Sequence, residues 1–453
     1  TVLAGSPKGN KSVTLQSVRW LQRRFPEHQF LIHRIAQRIR VLETDPDAFD
    51  EVLQNIRAAD LVLWAFPVYY YLVQAHLKRF IELVFEREGE KAFEGQYSAA
   101  VSTSIHFYDH TAHEYVHGVS EDMGMLWLGS FSAHMLDLTS KEKRGKLEAF
   151  FQHRIDQIAL QVPVLPTYSP VTRHAFEYQP GPLLDRTPEG RGVPRAVVVT
   201  DQTPEDRNLK AMVDRFTERF PGPPEVVNLH DLDIKASCQG CIQCAYDNQC
   251  VFEGKDGFSD FYRTTVETAE VLLFAGSMKD RYLSSRWKTY FDRTFFENHR
   301  PMLRDRQVLI FVSGPLRQVD NLREILTAYV EVQMANLVGI VSDEVETSAS
   351  LDRAIDDLAL RAIRYSEDGY TAPATFRGEG GHKIFRDAVW GWMRMPFVSD
   401  HRTYKRSGLY DFPHANWRSR ISNAITLPLL RSPRVRQKIY PNLRDLMVKR
   451  HVQ

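Results

Sequence analysis

All four cysteines of the chain lie in one short window, in the pattern Cys238-x2-Cys241-x2-Cys244-x5-Cys250. Three thiols at x2 intervals, with a fourth one loop away, can surround a single soft metal centre, and this spacing is close to that of iron–sulfur ligand runs. Zinc ribbons place two C-x2-C hooks far apart, so zinc fits less well. The spacing predicts one [4Fe–4S] cluster on these four residues. Zinc, or four reduced thiols that only pack, are the alternatives.

A second candidate site is the loop Gly5-Ser6-Pro7-Lys8-Gly9-Asn10-Lys11-Ser12, which follows the apolar run Val2–Ala4 and opens a helical stretch. Small residues let the backbone approach an anion, hydroxyls and N–H groups donate to it, and a helix N-terminus adds a favourable dipole. We therefore predict a phosphate cradle at Ser6, Lys8, Asn10 and Ser12. The alternative is an ordinary turn with a serine N-cap.

Two aromatic loops accompany this cradle. Pro67-Val68-Tyr69-Tyr70-Tyr71 follows one apolar run, and the segment from Ser104 to His110, with His106 and Tyr108, follows the next. Three consecutive tyrosines cannot all point into a core, and exposed rings suit stacking on a flat ligand. A phosphate cradle and two aromatic loops at one sheet edge predict a mononucleotide with a flat, redox-active ring.

The histidines after the second aromatic loop raise a separate metal hypothesis. His106, His110, His113 and His117 have the spacing of one helical face. We favour a polar loop and helix over a metal site here.

The elements that must position these residues repeat along the chain. Short apolar runs without polar alternation indicate strands that are covered on both faces, and hence parallel sheets with crossover helices. The run Ala59–Ala65 and the helical stretch that follows it have a counterpart at Ala269–Ala275. The predicted fold class is α/β, with two doubly wound parallel-sheet domains in tandem and a basic, mainly helical C-terminal extension.

The motifs carry a family resemblance. Gly5-Ser6-Pro7-Lys8 with Asn10, Pro67-Val68-Tyr69, and Lys78 with Phe80-Ile81-Glu82 resemble the NAD(P)H-dependent FMN reductases of the flavodoxin-like fold, and the cysteine run resembles their iron–sulfur flavoprotein branch. The resemblance implies FMN on Ser6, Lys8, Asn10, Ser12, Pro67, Val68, Tyr69, Tyr70 and Ser104. It also implies NAD(P)H as electron donor. From their position, His106 and Tyr108 are catalytic candidates that donate to the flavin or to a substrate.

The resemblance also gives domain boundaries. We expect an FMN-binding flavodoxin-like domain at 1–162, a connector at 163–194, a degenerate flavodoxin-like domain with the four cysteines at 195–370, and the extension at 371–453. In the second domain, Asp201, Glu205 and Asp206 occupy the turn where a phosphate would lie, and like charges repel a phosphate. We therefore expect FMN in the first domain alone, with the cluster of the second domain close to it.

Charge is distributed unevenly. The chain has a formal net charge of +1, whereas residues 377–453 hold 16 lysines and arginines against 5 aspartates and glutamates. No nucleic-acid-binding module accompanies these charges, so no nucleic acid is expected. Peripheral membrane contact through the tail is a minor alternative to a tail that packs on the domains. With no signal-peptide pattern before Val2 and no long apolar run, we expect a cytoplasmic protein. The sequence does not determine the oligomeric state.

Three functions remain open at this point. The first is a flavin oxidoreductase that takes electrons from NAD(P)H at FMN and passes them, through the cluster, to an unknown acceptor. The second is a flavodoxin-like electron carrier that docks between redox proteins and has no small-molecule substrate. The third is a non-redox scaffold or sensor, which the intact first loop argues against. A pocket over the flavin would favour the enzyme, and an exposed flavin edge would favour the carrier.

Overall fold

The structure is a computed structural model that describes residues 1–183 and 192–443. The chain forms two compact units, residues 1–400 and residues 401–453. Both sheets, the aromatic loops and the cysteine window lie in the first unit.

The first sheet is parallel, with its strands in the order β2-β1-β3-β5-β6 and a short β4 antiparallel to β3. Its strands are β1 (Val2–Ala4), β2 (Ile32–His33), β3 (Leu61–Tyr69), β4 (Leu72–Val73), β5 (Tyr97–Ser104) and β6 (Leu126–His134). The helices around it are α1 (Val13–Arg24), α2 (Ile35–Thr44), α3 (Pro46–Arg57), α4 (Ala75–Glu86), α5 (Asp109–Asp122) and α6 (Lys141–Ala159).

The second sheet is also parallel, in the order β11-β10-β9-β7-β8. Its strands are β7 (Ala196–Thr200), β8 (Glu225–Asn228), β9 (Val271–Ser277), β10 (Gln307–Ser313) and β11 (Asn336–Ser342). The accompanying helices are α7 (Arg207–Arg219), α8 (Phe258–Phe261), α9 (Ser285–Arg293), α10 (Asp320–Val332) and α11 (Ser348–Asp368). Both sheets have the strand order of the flavodoxin-like fold.

The C-terminal region is helical. It contains α12 (Phe376–Trp390), α13 (Val398–Arg406), α14 (Trp417–Leu429) and α15 (Pro433–Ile439). The predicted fold class, two parallel-sheet α/β domains followed by a helical extension, is confirmed. None of the helices in the described part of the chain has the length and apolar composition to cross a membrane.

The two sheets are joined through α4 and α9, which exchange reciprocal polar contacts. On the α4 side, Lys78 Nζ is fully buried and donates to Glu82 Oε1 at 2.7 Å and to Asp280 Oδ2 at 2.9 Å. Glu82 in turn accepts hydrogen bonds from the backbone N–H and the hydroxyl of Ser285, the first residue of α9. Burial opposes a charge on Lys78, but the two carboxylates outweigh it and the pKa of Lys78 is raised.

The α9 side repeats this pattern. Lys288 pairs with Asp292 one turn later and donates to the carbonyl of Tyr69 at 2.8 Å. Asp292 accepts from the N–H of Ala75, the first residue of α4, at 2.7 Å, and from the hydroxyl of Ser237. Each domain therefore places a helix N-terminus on a carboxylate of the other, which is the self-complementary pattern of a two-fold interface.

Candidate functional site

The loop after β1 packs tightly against its own helix. Ser6 and Ser12 are buried, and the Ser12 hydroxyl accepts from the N–H of Leu15 and so caps α1. Gly9 has a φ of +52°, and a Cβ there would overlap the amide of Gln37. The loop thus presents hydroxyls and the N-terminus of a 12-residue helix at one point, which is a favourable place for an anion.

Lys8 lies within the same loop and is largely enclosed. Burial lowers its pKa below the ordinary lysine value, while the nearby sulfurs of Cys238 and Cys241 oppose that shift. Asn10 is placed differently: it is exposed, and its Oδ1 accepts from Arg19 at 2.6 Å and from Arg34 at 3.0 Å. The structure therefore brings Ser6, Lys8 and Ser12 to the cavity described below and leaves Asn10 outside its lining.

The loop after β3 is a tight hairpin turn. Tyr70 and Tyr71 connect β3 to β4 with φ values of 41° and 68°, a conformation that β-hairpins require but that bulky residues rarely adopt. Tyr71 is 3% exposed and packs on Phe107 and Tyr108. Tyr69 and Tyr70 line the cavity. Pro67, Val68 and Tyr71 are also on its wall.

The loop after β5 has two further left-handed residues. His106 and Tyr108 have φ values of 63° and 50°. The His106 side chain turns outward, and its Nδ1 lies 2.9 Å from Asp109 Oδ2. Burial raises the pKa of Tyr108, and the charges of Glu324 and Glu331 add to that rise. Ser104, Ile105 and Phe107 line the cavity, but neither of the two catalytic candidates from this loop does.

The histidines of α5 have separate partners. His113 lies 2.7 Å from the hydroxyl of Ser102, and burial lowers its pKa to about 4. His117 Nε2 lies 2.8 Å from Glu121 Oε1. The side chains of His113 and His117 thus contact different partners on different elements.

These loops enclose a cavity of about 250 Å³ whose walls come from three parts of the chain. The first domain supplies Ser6, Lys8, Ser12, Val13, Thr14, Pro67, Val68, Tyr69, Tyr70, Tyr71, Thr103, Ser104, Ile105, Phe107 and Met135. The second domain and the C-terminal extension supply Gly240, Ile242, Phe295, Asn298, His299, Arg300, Val332, Gln333, His382, Phe385, Trp392, Met393, Pro396 and Phe397. Sequence reasoning missed this second set, although the glycines of α12 are a signal of close packing in an otherwise helical pattern.

The cysteine window lies against the first domain. Gly240 has a φ of +60°, and a Cβ there would overlap the hydroxyl of Tyr69 and the side chain of Lys8. Tyr69 also stacks on Phe295, with ring centroids 6.5 Å apart and an interplanar angle of 7°. The four-cysteine loop therefore lies against the aromatic loop and the first loop of the first domain.

The four thiols lie near one another, because the charges of Cys238, Cys241 and Cys250 all add to the rise in the pKa of Cys244 that burial causes. Cys244 Sγ donates to the Phe295 carbonyl and to Asn298 Oδ1, each at 3.6 Å. Burial raises the pKa of Cys238 to about 12 and raises that of Cys250. Across residues 1–183 and 192–443, no group of three or more His, Cys, Asp or Glu side chains is arranged to hold a metal ion. The arrangement of the sulfurs does not support the [4Fe–4S] prediction.

The corresponding turn of the second domain is filled by its own carboxylates. Asp206 Oδ2 accepts from the N–H and the hydroxyl of Thr203, both at 2.9 Å, and its Oδ1 accepts from Ser277 at 2.7 Å. Asp201 is 2% exposed and accepts from the hydroxyl of Ser284. The hydroxyls and N–H groups that would meet a phosphate are thus already engaged.

Comparison with known proteins gives a family-model match over part of the chain and several distant structural likenesses. Residues 1–134, under a third of the chain, match the family model of NADPH-dependent FMN reductases. Among solved structures, the general stress protein 14 of Treponema denticola in complex with FMN is 16% identical, with a TM-score of 0.26 over 35% of this chain and 96% of that one. The NAD(P)H:(acceptor) oxidoreductase FerB of Paracoccus denitrificans is 16% identical, with a TM-score of 0.27 over 34% and 96%. No curated protein matches the chain.

FMN is the cofactor that the matched family implies, and the cavity residues fit it. Hydroxyls and a helix N-terminus lie at the first loop, as a phosphate requires, and aromatic and aliphatic side chains form the neighbouring walls. The Tyr69 hydroxyl is buried and has no hydrogen-bond partner among the described residues, so it is available to a polar atom of a flat ring.

Proposed function

We propose that the chain is an FMN-dependent oxidoreductase that takes electrons from NAD(P)H and passes them to a small acceptor. The observation that carries this proposal is the cavity that joins the first loop to the aromatic loops within the segment that matches the FMN reductase model. FMN supplies the redox chemistry, because it exchanges two electrons with a nicotinamide and can release them singly.

The residues divide into two groups under this proposal. Ser6, Ser12, Thr14 and the N-terminus of α1 bind the phosphate, and Lys8 contributes positive charge. Tyr69 and Tyr70, with Ile105 and Phe107 from the next loop, hold the ring and exclude water from it. A cavity with walls from three parts of the chain favours an enzyme over an electron carrier, since a carrier must expose its flavin edge to a protein partner.

Flavin stoichiometry tests the proposal. The purified full-length protein should release about one FMN per chain, because only the first domain keeps an open cradle. Ser6→Asp should abolish binding by placing a carboxylate at the phosphate. Gln202→Asp is the matched control, since Gln202 has the same position after β7 that Ser6 has after β1, and it should leave binding unchanged. Two flavins per chain, or retention in Ser6→Asp, would contradict the assignment.

The sequence also predicts an electron relay through a [4Fe–4S] cluster, whose ligands would be Cys238, Cys241, Cys244 and Cys250. The spacing and the contact with Tyr69 support it, and the arrangement of the sulfurs does not. Iron analysis of anaerobically purified protein decides: about four irons per chain, lost in Cys241→Ser with FMN retained, would establish the cluster. Stoichiometric zinc or no metal would rule it out and leave the FMN proposal standing.

A further inference from the structure

We infer that the basic segment, defined as residues 417–443, docks on a membrane surface that carries anionic lipids. The segment consists of α14, α15 and the residues around them. An exposed apolar stripe along α14 and the uniformly basic charge of the segment lead to this inference. Docking does not depend on the proposed function, because none of these residues lines the cavity.

The helix α14 has no packed face. Every one of its 13 residues is exposed, although Asn416 caps its start by accepting from the N–H of Ser419 at 3.1 Å. A helix of this length is marginal in water unless tertiary packing supports it, because nucleation is costly. Isoleucine, serine, threonine and asparagine, all present in α14, are weaker helix formers than alanine or leucine. We therefore expect this helix to be stabilised by a surface that it binds.

The apolar residues of α14 form a stripe along one face. They lie four residues apart, and each is more than 50% exposed: Trp417, Ile421, Ile425 and Leu429. Residues at this spacing lie above one another on a helix, so the stripe runs for about 18 Å. Ser419, Asn423 and Thr426 occupy the opposite face. A helix with one apolar and one polar face is suited to lie in a membrane interface.

The charge of the basic segment has one sign. It contains six lysines and arginines and no aspartate or glutamate. Arg434, Arg436 and Lys438 of α15 are all exposed, and each basic residue near an anionic bilayer strengthens binding by about fivefold. Arg418 and Arg420 lie in the first turn of α14, where the helix dipole disfavours a cation. Their charge does not serve the helix, and it complements an anionic surface instead.

The combination of stripe and charge favours a bilayer over other partners. Protein–nucleic acid interfaces are strongly polar, so the two isoleucines of the stripe would find no apolar partner there. A second copy of the chain would carry the same positive charge, which opposes association through this face. A bilayer attracts the basic residues with its headgroups and buries the stripe among its acyl chains. Because a span needs about 20 residues, α14 would lie in the plane of the membrane.

Sedimentation of the full-length protein with lipid vesicles tests the inference. The wild type should bind vesicles of equal parts phosphatidylcholine and phosphatidylglycerol, and high salt should weaken this binding. Ile421→Ser/Ile425→Ser should bind at least about tenfold more weakly, because it removes apolar area from the stripe. Leu160→Ser/Leu165→Ser is the matched control, since these leucines are 76% and 85% exposed outside the basic segment. It should bind as the wild type does.

A second pair of variants tests the charge. Arg434→Gln/Arg436→Gln/Lys438→Gln should weaken binding by about a hundredfold, as expected for three basic residues. The control removes the same charge from exposed positions of α6, in Lys141→Gln/Lys143→Gln/Lys146→Gln. This control should bind nearly as well as the wild type. All the replaced side chains are exposed, so each variant should keep the wild-type melting temperature.

Four results would overturn the inference. The first is a wild type that does not bind the anionic vesicles or binds pure phosphatidylcholine vesicles equally well. The second is an equal loss of binding in the α6 control and the α15 variant. The third is binding to a DNA duplex in place of vesicles, which would assign the basic segment to nucleic acid. The fourth is a dimer that the isoleucine variant loses, without vesicle binding, which would assign the stripe to a second copy.

Discussion

Asp201 and Asp206 lie five residues apart, in the turn after β7, and their pKa values are shifted in opposite directions. Burial raises the pKa of Asp201 to about 6, and the charge of Asp206 adds to that shift. Burial alone would also raise the pKa of Asp206, but hydrogen bonds from Ser277 and Thr203 and the charge of Lys279 outweigh it, and the pKa is lowered. One carboxylate therefore destabilises the folded state when ionised, and the other stabilises it.

The first prediction concerns the pH dependence of stability at Asp201. Because the folded-state pKa of about 6 exceeds the ordinary value of 3.8, the proton is held more tightly in the folded protein. The stability that Asp201 contributes when protonated is present below about pH 4 and is lost as the pH rises through about 6. Asp201→Asn should therefore gain up to about 3 kcal/mol over the wild type above pH 6 and nothing near pH 4.

Urea denaturation between pH 4 and pH 8 measures this difference. Asp206→Asn is the matched variant with the opposite sign: it should be less stable than the wild type at neutral pH, and the gap should close as the pH falls through the lowered pKa. Equal destabilisation of Asp201→Asn at all pH values would contradict this prediction. It would indicate that the Asp201 carboxyl of the wild type acts only as a hydrogen-bond acceptor for Ser284.

At the scale of elements, much of the fold was accessible from sequence because the strands are uniform apolar runs. The candidate site was harder to predict from sequence, because residues with positive φ determine which side chains face the cavity. In the loop after β5, left-handed residues at His106 and Tyr108 leave Ile105 and Phe107 on the cavity side. The hairpin of β3 and β4 likewise depends on positive φ at two tyrosines, a conformation that their residue type does not predict.

The contribution of α12 to the site was also inaccessible, for a different reason. Its glycines signal close packing, but they do not identify the partner surface, which is formed by Val332 and Phe107 from distant parts of the chain. The motif at Lys78 and Glu82 was recognised as a family feature. Its reciprocal contact with α9 follows only from the packing of the two sheets.

The second prediction concerns the α4–α9 contact. Lys288 and Asp292 are both fully buried, so removing the lysine leaves a charged or newly protonated carboxyl without its partner. Lys288→Ala should destabilise the protein by about 3–5 kcal/mol, as is typical for a broken buried pair. Lys210→Ala breaks an ion pair of the same i,i+4 spacing with Asp214, but on the exposed face of α7, and should cost less than about 0.5 kcal/mol. Chemical denaturation of both variants at neutral pH gives the comparison, and similar losses would contradict the importance of the α4–α9 contact.

At the scale of the whole molecule, the C-terminal extension has two parts with different surroundings. Phe385, Val389, Met393 and Phe397 are each less than 10% exposed. In α14, by contrast, Trp417, Ile421 and Ile425 are all more than 50% exposed, and residues 417–443 contain six lysines and arginines and no acidic residue. From sequence, residues 371–453 are predicted as one basic extension, because charge composition does not distinguish a packed segment from an exposed one.

The third prediction follows from this difference. A chain that ends at Ala415 loses α14 and α15, whose side chains are mostly exposed, and should keep its melting temperature and its FMN content. A chain that ends at Thr371 also loses the buried side chains of Phe385, Val389, Met393 and Phe397, and an apolar side chain contributes about 1.5–3 kcal/mol when fully buried. It should melt at a lower temperature and aggregate, because it exposes the apolar surface that those side chains covered. Thermal denaturation and size-exclusion chromatography of the two truncated proteins distinguish these outcomes. The packed arrangement would be contradicted if the chain ending at Thr371 were monodisperse and kept its melting temperature. If that chain also failed to bind anionic liposomes that the wild type binds, the result would support a membrane role for the tail.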